Sequence, residues 1–353
     1  MNEIFPLTVE TGKERWNYFA QSVSVIVPFS FNPAFFDFYR DYFHWKPLYF
    51  LFYREDKLVG LIPLVYTGKA YVSLPHFSYG GLCTKQPVSD ASSILQGLVG
   101  LINKSSLAEG FYRYNLSFEP LPENNILYPS LFLRGLNPPG APAISQKETS
   151  YIELTPTIDE LWLRFSSNLR RKIRKANKSG FIFREGGEEL LKDFYSVYSR
   201  RMHQLGSPPY GKDFFSRLFH HSMKEGSAFF VAYLRSRPVG ASLLLSYHGF
   251  YESAWFATTS LYHKYYVADG LHWAMIKHAI SKRGRIYSMG RSTKNSSVYV
   301  YKNHWPVKNS PLFLYNTSNK PSLRNYSWLS KIWKCVPIPV ANLLGQSLVK
   351  HIY

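Results

Sequence analysis

Tyr53-Arg54-Glu55-Asp56-Lys57-Leu58-Val59-Gly60 leads into Pro63-Leu64, and at an offset of 180 residues Tyr233-Leu234-Arg235-Ser236-Arg237-Pro238-Val239-Gly240 leads into Leu243-Leu244. Each stretch reads as an apolar or aromatic strand, a polar turn, a Val-Gly step and a returning strand. Leu48 to Arg54 and Leu58 to Tyr66 make the first hairpin, and Phe229 to Leu234 and Pro238 to Tyr247 make the second. Hairpins are common, so chance repetition and internal duplication both fit. The shared Val-Gly position favours duplication and predicts two lobes with the same central hairpin.

Working outward, Phe35, Phe36, Phe38, Tyr39 and Tyr42 recur at helical spacing behind Asn32-Pro33, which suits a capped helix start. After the first hairpin the pattern predicts a strand at Tyr71 to Leu74, a turn at Ser78-Tyr79-Gly80-Gly81, a helix near Val88 to Leu107 and a strand at Tyr112 to Phe118. The Pro and Gly cluster from Asn137 to Pro142 breaks the chain. Beyond it come a strand at Tyr151 to Leu154, one helix from Ile158 to Lys178 ended by Ser179-Gly180, and a strand at Phe181 to Arg184. Helices at Glu188 to Leu205 and Lys212 to Lys224 precede the second hairpin. A strand at Phe250 to Ala257, a helix at Asp269 to Lys282, and strands at Arg285 to Met289, Val298 to Tyr301 and Leu312 to Tyr315 follow it. This order predicts an α/β fold with mixed sheets. The lobes are expected at 1–145 and 146–318, with a basic, apolar tail at 319–353.

A chain of 353 residues that is 45% hydrophobic and 18% charged is globular and long enough for two cores. Its net charge of +19 calls for an anionic partner: nucleic acid, lipid head groups or a phosphorylated substrate. The last acidic residue is Asp269, and the 84 residues after it carry 13 Lys or Arg. Cys83 and Cys335 have no disulfide or metal spacing, Met1 to Glu10 has no apolar signal core, and no run reaches the length of a membrane span. The expectation is a cytoplasmic protein, with peripheral membrane contact through the tail. Trp328, Leu329, Ile332, Trp333, Leu343 and Leu344 alternate there with Lys331, Lys334 and Lys350, which suits an anionic membrane surface. Pro337 and Pro339 argue against one continuous helix. The alternative is that the tail packs on the first lobe as ordinary core.

Arg170, Arg171, Lys172, Arg174, Lys175 and Lys178 put six cations on one predicted helix. They form either a solvated face or a contact for phosphate or nucleic acid. Gly290-Arg291-Ser292-Thr293-Lys294-Asn295-Ser296-Ser297 is a polar loop feeding Val298-Tyr299-Val300-Tyr301-Lys302. Read as a strand, this run puts Tyr299 and Tyr301 on one face and Val300 and Lys302 on the other. Acyl transfer to an amine builds charge on a carbonyl oxygen, which a fixed Lys302 cation stabilises. The same spacing also fits an exposed lysine at a strand end. Neither Gly-x-Ser-x-Gly nor His-Glu-x-x-His is present, so nucleophilic and metal catalysis have no motif.

Asn32-Pro33-Ala34-Phe35-Phe36, Val59-Gly60-Leu61-Ile62-Pro63-Leu64 and Tyr79-Gly80-Gly81-Leu82 resemble the first lobe of FemAB-like proteins. Leu169 to Ala176, Gly206-Ser207-Pro208-Pro209-Tyr210 and Gly290 to Trp305 resemble the second. The likeness is closest to the members associated with PEP-CTERM and exopolysaccharide systems, whose tail is similar to Trp333 to Gly345. It implies two tandem GNAT-like lobes and N-acyl or aminoacyl transfer to an envelope precursor, a peptidoglycan-type peptide or an exopolysaccharide sugar. It implies no bound cofactor and a phosphorylated donor, aminoacyl-tRNA or acyl-CoA, with tRNA as a partner in the first case. Residues Thr258 to Ala268 lack the Arg/Gln-x-x-Gly-x-Gly/Ala loop with which acetyltransferases hold acetyl-CoA, which weakens acyl-CoA. Lys302 and Tyr299 are the expected catalytic residues. Arg291, Ser292, Tyr210, Arg170, Arg171 and Lys175 are expected to bind substrate. The competing reading is a non-catalytic module that binds anionic lipid or nucleic acid.

Overall fold

The computed structural model describes residues 2–6, 11–22, 26–54, 57–68, 71–81, 83–84, 131–132, 143–222, 226–314 and 327–351. The expected helix at Val88 to Leu107, the strand at Tyr112 to Phe118 and the break at Asn137 to Pro142 lie outside these residues. The chain divides into two compact units. One comprises Met1–Thr149, Arg291–Ser296 and Asn309–Asn319; the other comprises Ser150–Gly290, Ser297–Lys308 and Lys320–Tyr353.

In the first unit β1 (Asn2–Pro6), β2 (Lys46–Arg54), β3 (Lys57–Tyr66) and β4 (Tyr71–Ser73) form an antiparallel sheet in that order, with β5 (Cys83–Thr84) also paired to β3. Helices α1 (Thr11–Ser22) and α2 (Ala34–Phe43) accompany it. The Ala34 N–H donates to Asn32 Oδ1 at 2.9 Å, so Asn32 satisfies an otherwise orphaned donor at the start of α2. Phe35, Phe38, Tyr39, Tyr42 and Phe43 turn inward at the spacing read from the sequence.

The second sheet adds β6 (Leu131–Phe132), β7 (Ala143–Glu153), β8 (Phe181–Gly186), β9 (Ala228–Leu234), β10 (Arg237–Tyr247), β11 (Phe250–Thr258), β12 (Ile286–Thr293) and β13 (Lys308–Leu314). Their order is β6-β13-β7-β12-β11-β10-β9-β8. The helices are α3 (Ile158–Arg164), α4 (Ser167–Lys178), α5 (Leu191–Leu205), α6 (Lys212–Ser222), α7 (Val267–Ser281), α8 (Ser297–Lys302), α9 (Ser327–Cys335) and α10 (Ile338–Leu348). Strand β9 is covered on both faces, which explains its uninterrupted apolar sequence. Phe230 and Ala232 join Leu169 and Ile173 of α4 and Leu271 and Met275 of α7 in one core. On the opposite face Phe229 meets Phe194 of α5 at 5.1 Å, and Phe194 meets Phe215 of α6 at 4.9 Å.

The two hairpins share one irregularity. In β9–β10 Pro238 lies opposite Tyr233 and Gly240 opposite Ala232, leaving Val239 as the extra residue of a bulge. In β2–β3 Leu58 lies opposite Tyr53 and Gly60 opposite Phe52, leaving Val59 in the same role. Arg235 and Ser236 turn the second hairpin with φ of 48° and 63°, the two-residue turn that matches strand twist. Equivalent bulges at Val59-Gly60 and Val239-Gly240 are what duplication predicts.

Two expectations need correction. The single helix from Ile158 to Lys178 is two helices. Phe165 is extended, and Ser166 starts a new helix by accepting the Leu169 N–H on its Oγ at 3.2 Å. The strand expected at Val298 to Tyr301 is helical and forms α8.

Strands β11 and β12 run parallel but pair only from Phe250 to Glu252 against Ile286 to Ser288. Each continues well past the last pair, β11 to Thr258 and β12 to Thr293, so the ladder opens. A second bulge falls where it opens, because Leu243 faces Trp255 while Leu244 faces Ser253. Helix α7, which connects the two strands, crosses α4 closely at Gly270. A Cβ on Gly270 would lie 3.0 Å from Ala176 Cβ and 2.4 Å from the tip of the Phe183 ring. Gly270→Ala should therefore cost about 1–3 kcal/mol in urea unfolding despite the better helix propensity of alanine. Adding Phe183→Leu should restore part of the loss, and an alanine variant as stable as the parent would contradict this crossing.

Candidate active site

Helix α8 explains the period-two pattern that suggested a strand. On a helix Tyr301, Lys302 and Trp305 share one side, and Lys302 and Trp305 are buried. Val298 and Val300 stand outward, both more than half exposed. Tyr299 and Tyr301 accept the Asn303 and His304 N–H groups through their carbonyls, and Lys302 accepts that of Trp305, so the helical turn runs on into Trp305. The Trp305 ring packs edge-on against Phe165 at 5.5 Å, between α3 and α4, which anchors α8.

Lys302 is 5% exposed, so the alternative of an exposed lysine does not hold. Its Nζ donates to the Gly290 carbonyl at 2.8 Å. Gly290 has a φ of 72°, a conformation that glycine adopts without strain, and its N–H donates to Ser288 Oγ at 3.0 Å. Burial lowers the Lys302 ammonium from its usual value to about 8, and the negative charge of buried Glu252 works against that fall. Glu252 is the last residue of β11 paired to β12, so Lys302 belongs to the place where the strands part.

His272 of α7 packs beside this lysine. Its ring stacks on Phe256 of β11 at 4.2 Å, and its Nδ1 lies 2.7 Å from the Tyr287 hydroxyl of β12. Burial first, and then the charge of Lys302, push His272 down to about 3. It is therefore a neutral group that ties α7 to both diverging strands, and it does not exchange protons near neutral pH.

Charge gathers at the start of α7. Arg171, Lys172 and Lys175 of α4 place their charged groups 5.2–5.8 Å from the ring centre of Tyr266, the residue preceding the helix. Lys172 also donates to His304 Nδ1 at 3.4 Å. Inside the first turn Asp269 is buried, and its Oδ1 has no hydrogen-bond partner among the described residues. Burial raises Asp269 to about 6 against the pull of Lys172.

Of the residues expected from sequence, Lys302 and Tyr299 lie on α8, with Tyr299 half-buried. Arg291 and Ser292 lie near the end of β12; Ser292 is buried and its Oγ has no hydrogen-bond partner among the described residues. Arg171 and Lys175 converge on Tyr266, while Arg170 is half-buried on the same helix. Tyr210 stacks on Phe214 at 4.2 Å and meets Trp255 at 5.9 Å, in an aromatic cluster. Glu252, Tyr266 and Asp269 were not anticipated. A lone acid in the apolar strand Phe250 to Ala257 was a usable signal for Glu252, and the Asp269-Gly270 pair at a helix start was one for Asp269.

Residues 164–303 match the acetyltransferase (GNAT) domain family. The matched stretch contains α4, Glu252, Tyr266, Asp269, His272, Gly290 and Lys302, and it supports an acyltransferase. No curated protein matches the chain in sequence. Among solved structures the fold is similar to FemX, at 12% identity over 93% of this chain and 100% of that one, with a TM-score of 0.59. It is also similar to a tandem GNAT protein from the clavulanic acid biosynthesis pathway, at 8% identity over 91% of this chain and 100% of that one, with a TM-score of 0.53. These likenesses concern the fold: the mixed α/β architecture has tandem GNAT proteins as its structural neighbours.

The carboxyl of Asp269 carries a testable cost within this GNAT domain. Its folded value is raised, so its contribution is most favourable below the ordinary carboxylate value of 3.8 and is lost as pH rises through about 6. Asp269→Asn should thus raise Tm at pH 8, with the gain shrinking as pH falls toward 4. Thermal melts of both proteins across this range measure it, and a variant with a lower Tm at pH 8 contradicts the burial argument.

Proposed function

We propose that this protein transfers an acyl or aminoacyl group from a phosphorylated donor to an amine of an envelope precursor. The observation that carries the reading is the buried Lys302 ammonium, held by α8 and the Gly290 carbonyl where β11 and β12 part, inside the GNAT-matching stretch. The acceptor amine attacks the donor carbonyl, and a C–N bond forms as the ester or thioester bond breaks. The amine loses a proton and the departing oxygen or sulfur gains one. Between these events the carbonyl oxygen carries negative charge, and a preorganised cation in a low-dielectric site stabilises that oxygen far more than water would. Arg171, Lys172 and Lys175 around Tyr266 suit the phosphates of the donor.

Aminoacyl-tRNA is the donor we favour over acyl-CoA. The stretch before α7 has no glycine-rich pyrophosphate loop, and the cations are side chains spread along α4, which suits a polynucleotide backbone. The FemAB-like resemblance points the same way. With Tyr299 beside Lys302 as the second catalytic residue, Arg291, Ser292 and Tyr210 are assigned to substrate binding. Envelope precursors are assembled at the membrane, so we place the reaction at its cytoplasmic face.

Purified protein given labelled aminoacyl-tRNA, or in a separate arm labelled acyl-CoA, should move label into an amide of an envelope extract in the tRNA arm. Lys302→Met should lower kcat by about 10²–10³ with KM nearly kept. The parent's rate should fall above about pH 8, where Lys302 loses its charge. No transfer in either arm, or a Lys302→Met protein with full turnover, contradicts the proposal.

A further inference from the structure

The tail breaks between α9 and α10 at Val336 and Pro337, as its prolines suggested. It docks on the second unit, against α5 and residues 206–211, rather than serving as core for a first lobe. His203 Nε2 donates to the Val336 carbonyl at 2.7 Å, and Ser330 Oγ donates to the Leu205 carbonyl at 3.3 Å. Helix α10 presses inward with small residues. Ala341 and Gly345 are buried one turn apart, and a Cβ on Gly345 would lie 2.5 Å from Pro209 Cδ.

The large apolar side chains consequently point away from the protein. Leu343 is 68% exposed, and Val340, Leu344 and Leu348 are exposed with it, as is Ile332 on α9. This inverts the usual surface helix, whose large apolar residues face the core. Residues 338 to 348 carry no charge, yet Lys331, Lys334 and Lys350 flank them. Between α5 and α10 runs a groove of about 360 Å³ lined by Lys192, Arg200 and Lys212 together with Ser199, Tyr195 and Asn342. Among the described residues the Tyr195 hydroxyl and Asn342 Oδ1, both buried, have no hydrogen-bond partner.

We propose that the outward face of α10 docks on an anionic phospholipid bilayer, and that a lipid phosphate seats between Lys192, Arg200 and Lys212. Charge decides the occupant. Helices α9 and α10 carry Lys331 and Lys334 and no acid, and in the groove Lys192, Arg200 and Lys212 outnumber the neighbouring Asp213, so a second copy would set one net cationic face against another, whereas an anionic head group is complementary. The apolar row enters the head-group boundary and the cations stay at phosphate depth. Helix α10 lies along the surface; no helix among the described residues is long and apolar enough to cross a membrane. This rests on the cytoplasmic-face location proposed above and supplies its surface. Vesicle binding is read without any transfer assay, so the two readings can fail separately.

The test is sedimentation of the full chain with vesicles of phosphatidylcholine alone or with about 30% phosphatidylglycerol. Wild-type protein should bind the anionic vesicles and leave the neutral ones. Leu343→Gln/Leu344→Gln/Leu348→Gln should weaken binding at least about tenfold at low and high salt. Lys192→Gln/Arg200→Gln/Lys212→Gln should weaken it at least about tenfold at low salt and flatten the salt dependence. Near-ultraviolet circular dichroism and gel filtration check that both variants keep the native fold. Wild-type protein that ignores anionic vesicles, or an apolar triple variant that binds them fully, overturns the proposal. So does a wild-type dimer that the apolar variant dissociates, because the occupant is then a second copy.

Discussion

The candidate site depends on one contact, the donation of the Lys302 ammonium to the Gly290 carbonyl in a buried place. Removing an ammonium from water is costly unless fixed dipoles and a counter-charge replace hydration. The carbonyl of Gly290 supplies the dipole, and it sits in a left-handed residue that a side chain would strain. The counter-charge is Glu252, at the last rung of the β11–β12 ladder. Trp305 holds the helix that carries the lysine, and His272 ties α7 to both open strands. Loss of the Gly290 carbonyl contact or of Glu252 leaves the buried ammonium without a group that replaces its hydration.

The hairpin duplication was legible because its causes are local. A one-residue bulge beside a Val-Gly step is written within a few positions, and it recurs at Val59-Gly60 and Val239-Gly240. The aromatic helix α2 and the capping Asn32 were legible for the same reason. Helix α8 was not. Val298-Tyr299-Val300-Tyr301 alternates with period two and carries strand-forming residues, so local propensity argues for a strand. Burial of Lys302 and Trp305, with Tyr301 partly buried on the same side, overrides it, and that packing comes from α3, α4 and α7, outside the local stretch. The split at Ser166 had a local signal, Ser166-Ser167-Asn168, which the dense cations after it obscured.

The candidate site was legible in part, along the same divide. Lys302 stood out as a residue whose chemistry suits acyl transfer, but its environment is made by partners from β11, β12 and α7 that no spacing rule connects. The cationic helix was plain as a charge run, yet what it surrounds, Tyr266 at the start of α7, follows from a helix crossing that Gly270 and Ala176 permit. Small residues at close crossings leave little mark in a hydropathy pattern. Ala341 and Gly345 do the same for α10, and what the sequence presents as an apolar tail is a docked helix turned inside out.

If burial beside Gly290 and Glu252 defines Lys302, its amine must titrate below the ordinary lysine value. Resolving it by NMR of protein labelled at lysine side chains, with Lys302→Met to assign the signal, measures that directly. The account predicts a midpoint at about 8, moving lower in Glu252→Gln, where the counter-charge is gone. A Lys302 signal that titrates at the ordinary lysine value of 10.5, unmoved by Glu252→Gln, would contradict it.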